Sequence, residues 1–265
     1  MQLDQLKERQ RMTWETGDYI RIGATLQLVS ELLCEQTDLR AGSTVLDVCT
    51  GSGNTAIAAA RRWCRVTGVD FAPQLLYQAC ARAQAERLTI DFQTADVEAL
   101  PCEDGAFDVI MSTFGVMFAP NQEQAASELL RACRSGGKIA LAHWGPGEFV
   151  AELFRVSAAY APPPGLQSPL RWGDRASLTS LLGGGSDLVS SEVRAVHYRY
   201  ASATHFVNHL RQFYGPTVKA FEAAGEDREG TFHQELVDVC QRYNVSGDDS
   251  MVVPAKYLAV VFQKR

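Results

Sequence analysis

The chain has 265 residues, 31 acidic and 25 basic side chains, a net charge of −6 and 46% hydrophobic residues. That balance excludes a disordered or collagen-like chain and argues against nucleic acid as the partner. No apolar run approaches the ~20 residues of a membrane span, and the charged opening stretch 1–9 lacks the apolar segment of a signal peptide, so a cytoplasmic protein with no membrane span is expected. The seven cysteines, Cys34, Cys49, Cys64, Cys80, Cys102, Cys133 and Cys240, are widely spaced and form no CxxC pair. They read as reduced thiols rather than a zinc knuckle or a disulfide scaffold.

Residues 1–43 are expected to hold N-terminal helices. From residue 44 onward, short β-branched runs alternate with helical stretches. Strands are predicted over 44–48, 65–69, 89–93, 107–112 and 138–143, with helices over 55–63, 73–87 and 122–133. Pro73 sits at a helix start, where its missing N–H costs nothing. Alternation of this kind predicts a Rossmann-like parallel sheet with helices on both faces and the strand C-termini along one ligand-binding edge.

After Trp144 the pattern changes. Pro and Gly become dense (Gly145-Pro146-Gly147, then Pro162-Pro163-Pro164-Gly165), and helices fit 148–160 and 175–182, the second ending at Gly183-Gly184-Gly185. A strand fits 190–200, helices fit 204–213, 217–224 and 231–242, and a final strand fits 255–263. The predicted organisation is a core over 1–145, a helical insert over 146–185, a core strand over 186–200, a second insert over 201–250 and a last strand over 251–265. The two inserts would form a lid, stiffened by the proline run and jointed at the triple glycine.

The most informative stretch is Val45-Leu46-Asp47-Val48-Cys49-Thr50-Gly51-Ser52-Gly53-Asn54, a buried strand entering a Gly-rich turn at a helix start. Glycines permit positive φ and close backbone approach, and free helix N–H groups can face a polar ligand. Gly51-x-Gly53-x-x-Ala56 also fits the dinucleotide fingerprint, and Asp70 at the end of the second strand can accept ribose hydroxyls in either case.

Several further segments follow in order: Val69-Asp70-Phe71-Ala72-Pro73, Ala95-Asp96-Val97-Glu98-Ala99-Leu100-Pro101, Phe107-Asp108-Val109-Ile110 with Thr113-Phe114-Gly115, and Gly136-Gly137-Lys138. Together with Asp47-x-Cys49-x-Gly51-x-Gly53, this set resembles the class I S-adenosylmethionine (SAM) methyltransferases of the ubiquinone/menaquinone-biosynthesis type. The resemblance implies seven strands, the last antiparallel. Trp14-Glu15-Thr16-Gly17-Asp18-Tyr19, Ser168-Pro169-Leu170-Arg171-Trp172-Gly173-Asp174 and Tyr214-Gly215-Pro216-Thr217 resemble a bacterial subgroup of these enzymes. Two departures stand out: Cys49 replaces the first glycine of the loop, and Ser135 stands where the family usually has proline.

What the resemblance implies for the site can be stated residue by residue. Asp47 lies near the amino-acid end of SAM, acting partly through the loop, or else simply fixes the turn. Cys49, Gly51, Ser52 and Gly53 approach the cofactor, Asp70 takes the ribose diol and Phe71 lies against adenine. Asp96 and the Val97 N–H meet the adenine edge, while Thr113 and Tyr19 lie at the methionine end. His143, Trp144 and Tyr214 are candidates for the acceptor side, and the bland reading of His143 is a strand-end histidine bonded to backbone. His197, His205 and His209 are weaker candidates for a base, and no catalytic residue is assigned.

The sulfonium already activates the methyl group, so a base is needed only where the acceptor must lose a proton. No metal is expected, because no carboxylate cluster of the catechol-methyltransferase kind is recognisable. Phe154, Tyr160, Trp172, Phe206, Phe213 and Tyr214 could line the acceptor pocket or form the core of the inserts. The expected function is methyl transfer from SAM to a small organic acceptor, leaving S-adenosylhomocysteine. A non-enzymatic SAM-binding regulator is the alternative, and an NAD-dependent oxidoreductase ranks third.

Overall fold

The computed structural model describes residues 3–162 and 166–265. Three helices, α1 (Leu3–Glu15), α2 (Tyr19–Ala24) and α3 (Gln27–Thr37), precede a seven-stranded sheet. Its strands are β1 (Thr44–Val48), β2 (Arg65–Asp70), β3 (Asp91–Thr94), β4 (Phe107–Thr113), β5 (Cys133–Trp144), β6 (Ser186–Tyr200) and β7 (Met251–Lys264). They lie in the order β3-β2-β1-β4-β5-β7-β6, with β7 antiparallel to both neighbours and the first five parallel. The Rossmann-like sheet with an antiparallel last strand is therefore as the sequence predicts.

Strand burial follows position in the sheet. In β1, Val45 to Val48 are all buried, because a central parallel strand is covered on both faces. In β6, at the edge, half-buried and exposed residues nearly alternate and only Ser186 and Val196 are buried. Helices α4 (Asn54–Ala60), α5 (Pro73–Ala85) and α6 (Gln122–Ala132) cross between the parallel strands. Their starts are chemically marked: Pro73 opens α5, and the Asn121 side chain caps α6 by accepting from Gln124 N.

The remaining helices are α7 (Phe149–Tyr160), α8 (Arg175–Leu182), α9 (Ala203–Phe213), α10 (Gly215–Ala224) and α11 (Glu226–Tyr243). Helices α7, α9, α10 and α11 pack on one another, and α1 joins them through α10. The aromatic side chains Phe149, Phe206, Phe221 and Phe232 are buried within that cap. Within the segment 146–185, expected as one lid, the two helices take different neighbours. Its helix α8 packs on α6 and β6, where its amphipathic face completes the helical layer of the sheet. Of the stretch Pro162 to Gly165, positions 163–165 lie outside the described residues. Of the triple glycine, Gly185 abuts Leu130 of α6, where a Cβ would stand 3.2 Å from the Leu130 side chain, while Gly184 has nothing within 4 Å of such a Cβ.

Candidate cofactor and acceptor site

Strand order reverses between β1 and β4, and the crevice beyond their C-terminal ends is where α/β sheets of this kind take ligands. The loop after β1 and the loop after β4 touch across it: a Cβ on Gly115 would lie 2.5 Å from the Cys49 carbonyl oxygen and 2.6 Å from the Cys49 Cβ. Cys49 adopts φ +51 and Phe114 φ +59, both in the left-handed region that side chains disfavour. Gly51, at φ +54, has nothing within 4 Å of where a Cβ would stand, so its backbone faces open space. Gly53 instead packs against Ala79 of α5, at 3.1 Å from a notional Cβ.

Three acids surround the loop. The Asp47 carboxylate turns inward, accepting from the Thr50 hydroxyl and, at 2.9 Å, from Ala56 N of α4. It holds the turn, and burial pushes its pKa up to about 7. Asp70 closes β2 and accepts from Gly51 N at 2.9 Å and Ala72 N at 3.0 Å, with burial raising its pKa to about 6. Asp96 accepts from Glu98 N at 2.9 Å through one oxygen and from Lys7 Nζ of α1 at 2.6 Å through the other. Lys7 also pairs with Glu98 at 2.5 Å.

A family model described as a methyltransferase domain matches residues 45–137, the stretch that holds this crevice. The uncharacterized protein Rv1403c of Mycobacterium tuberculosis is 35% identical over 243 residues, covering 89% of each chain. The demethylmenaquinone methyltransferase of Thermus thermophilus is 33% identical over 142 residues, 48% of this chain and 64% of that one. The protein belongs to the class I SAM-dependent methyltransferases. The fold agrees: a geranyl diphosphate methyltransferase solved in complex with SAM superposes with a TM-score of 0.57 at 14% identity, covering 90% of this chain and 85% of that one.

In this methyltransferase the first and third of the subgroup segments meet in space. Asp18 N donates to the Phe213 carbonyl at 2.9 Å, and a Cβ on Gly215 would lie 2.0 Å from the Thr13 carbonyl oxygen. Only glycine allows the α1–α2 link and the α9–α10 joint to approach so closely. Their aromatics gather above the crevice: Tyr19 lies 5.5 Å from Trp14 and 6.0 Å from Tyr214, and Trp14 packs edge-on at 4.9 Å against Phe118. The Tyr19 hydroxyl is buried, with no side-chain partner and the Gly215 backbone beside it. Burial pushes the pKa of both Tyr19 and Tyr214 upward, so both phenols remain protonated at neutral pH.

The middle segment packs elsewhere. Trp172 covers the end of β5 and meets the His143 ring edge-on at 5.3 Å. His143 is fully buried, neither ring nitrogen finds a partner, and burial alone lowers its pKa to about 3. The acceptor-side role expected for His143 is thus at odds with its own surroundings, since it lies sealed under Trp172 on one face of β5, and Trp144 on the other face is buried as well. It is not bonded to backbone either. Trp144, on the other face, stacks parallel to Phe114 with ring centroids 3.8 Å apart.

Thr113 is engaged within the fold, accepting from the Thr55 hydroxyl at 2.8 Å, which in turn lies 3.1 Å from Ser30 Oγ. Phe71 is half-buried and Val97 buried, each directly after its acid. Ser52 Oγ donates to the Tyr19 carbonyl at 3.1 Å, tying the glycine loop to α2.

Sequence reading passed over three residues. Phe114 carries the strained backbone beside Cys49, and an aromatic next to glycine after β4 was the available signal. Arg82 of α5 donates to Ser52 O at 2.6 Å, Asn54 Oδ1 at 2.7 Å and Gln27 Oε1 at 2.9 Å, clamping the loop with neutral acceptors. Lys7 reaches across 89 positions to Asp96, and no local pattern announces that. Among the described residues no group of three or more His, Cys, Asp or Glu could hold a metal ion. Among the described residues no helix is long and apolar enough to cross a membrane.

Proposed function

We propose that the protein binds SAM in the crevice between the β1 and β4 loops and transfers its methyl group to a small organic acceptor beneath α7 and α9–α11. The observation that carries this reading is the open space at Gly51, whose positive-φ backbone stands within hydrogen-bond reach of the Asp70 carboxylate. Asp70 would accept the ribose hydroxyls, Asp96 with the Val97 backbone the adenine edge, and Phe71 would lie against the ring. Cys49, Gly51, Ser52 and Gly53 would line the methionine end, with Tyr19 closing over it and Thr113 behind. The buried Tyr19 hydroxyl, with no side-chain partner, would fit a polar ligand arriving there. Asp47 acts through the loop it holds.

SAM, when bound, supplies a methyl group already activated by the sulfonium. The chain's own residues then have to align the acceptor and exclude water, and alignment alone can contribute several kcal/mol, about 7 or more in favourable cases. Trp14, Phe118, Tyr19 and Tyr214 wall the approach with aromatic surface. Tyr19 and Tyr214 are proton donors at neutral pH, and His143 is neutral and sealed behind Trp172. The arrangement therefore suits an acceptor whose attacking atom needs no protein base.

Calorimetric titration with SAM, S-adenosylhomocysteine and NADH tests the binding half, and S-adenosylhomocysteine release with a panel of acceptors tests the transfer. Heat with SAM and none with NADH is expected. Binding of NADH in place of SAM would overturn the reading.

A further inference from the structure

The sheet ends at β6, fifteen residues long and paired on one side alone, to β7. Its outer edge offers a row of free backbone donors and acceptors, which proteins usually blunt with lysine, proline or a very short strand. Neither Lys nor Pro occurs between Ser186 and Tyr200, and the strand's bulge at Val189 lies near its N-terminal end, leaving 190–200 regular. One face of β6 is covered by α3: Gln36 Nε2 donates to Ser190 Oγ at 3.0 Å and Arg194 Nη1 to the Leu32 carbonyl at 3.3 Å. The other face is open, with Val189 58% and Val193 70% exposed. Leu28, one turn before Leu32 on α3, is 59% exposed beside the same edge.

The charges of this edge are arranged symmetrically about Val193. If a second copy of β6 runs antiparallel with a two-fold axis at Val193, Glu192 faces Arg194 of the second copy and Arg194 faces its Glu192. In the same register Ser190 faces Val196 and the Val193 side chains of the two copies meet at the centre, while the bulge at Val189 ends the regular pairing on the N-terminal side. Shifting the axis by half a residue or a whole residue in either direction breaks this charge match. Glu192 and Arg194 already lie 2.8 Å apart within one chain, so pairing would close a ring of four alternating charges.

We infer that β6 is a homodimer edge: a second copy of this chain pairs with it antiparallel about Val193, extending the sheet across both subunits. A C2 contact of this type is self-complementary by construction, as this strand is. The pairing leaves the crevice beyond β1 and β4 free, so it does not depend on which ligand that crevice takes.

Sedimentation equilibrium of the full chain reads the proposal directly. The wild type is expected at twice 29.1 kDa. Glu192→Arg places like charges opposite each other twice and should weaken the dimer about tenfold or more, since each cross-strand charge pair contributes up to ~1 kcal/mol. Combining it with Arg194→Glu restores the pairing and should restore the dimer, while far-ultraviolet circular dichroism confirms that each variant is folded. Val193→Lys should also dissociate it. A wild type that stays monomeric at every concentration, or a dimer indifferent to Glu192→Arg, overturns the inference.

Discussion

Replacing Cys49 by glycine and by alanine separates backbone strain from thiol chemistry. Cys49 sits at φ +51, where a residue with a Cβ is destabilised by roughly 1–2 kcal/mol. Glycine removes that strain, at an entropic cost of about 0.5–1 kcal/mol in the unfolded chain. The half-buried side chain also contributes packing, about 0.8 kcal/mol if one methylene equivalent is lost. These terms nearly cancel, so Cys49→Gly should lie within about 1 kcal/mol of the wild type. Cys49→Ala keeps the strained Cβ and loses the sulfur, so it should be less stable than the glycine variant by about 0.5–1 kcal/mol, or roughly 1–4 °C in Tm.

Differential scanning calorimetry ranks the three proteins, and titration with S-adenosylhomocysteine checks the site. The thiol has no chemical part in this reasoning, because burial pushes its pKa well above the ordinary cysteine value and it is not a thiolate at neutral pH. Methyl transfer should therefore survive in Cys49→Gly with affinity changed by a few fold at most. An alanine variant as stable as the glycine one would refute the strain argument. Loss of transfer with SAM still bound would refute the packing role.

Asp70→Ala should weaken SAM binding at least tenfold by calorimetry, since a hydrogen bond to a charged acceptor contributes roughly 1.5–3 kcal/mol; unchanged affinity would move the nucleoside site elsewhere. Asp70 also sets a pH dependence. Its folded pKa of about 6 is raised above the unfolded value, so its contribution to stability is full below pH ~4 and is lost as pH rises through 6. Urea unfolding should show that loss in the wild type and a shallower one in Asp70→Asn; identical slopes would exclude Asp70 as a source. Lys7→Met frees the Asp96 carboxylate that SAM has to reach, so stopped-flow association of SAM should quicken, and an unchanged rate would show that the ion pair does not gate entry. Hydrogen exchange should slow in α7, α9, α10 and α11 when S-adenosylhomocysteine and acceptor are added together, but not in α8, which packs on α6; equal protection of α8 would contradict the division of the first insert.

Much of the fold was legible because its signals are local. The run from Val45 to Asn54 joins a fully buried strand to a turn that needs positive φ, and both requirements are met by neighbours in sequence. The alternation of strand and helix through residue 144 fixes a parallel sheet, since only crossovers can connect parallel strands. Asp70 and Asp96 announced themselves as acids at strand ends, the positions that face the ligand edge. Boundaries shifted by a few residues, as at β3, where 89–93 was expected and Asp91–Thr94 is found, because fraying ends lack a strong chemical marker.

Other features rest on which surfaces end up facing each other. His143 and Trp144 look equivalent in sequence, yet one is sealed under Trp172 and the other stacks on Phe114, according to the side of β5 each occupies. Helix α8 has the same amphipathic character as α7, and its place in the sheet layer follows from contact with α6 rather than from its own residues. Lys7 and Asp96 are separated by 89 positions, so their ion pair exists only once α1 has docked. Local chemistry determined the strand, the loop and the acids of the crevice. What covers that crevice depended on long-range packing, because burial is a property of two surfaces and a sequence segment displays only one of them.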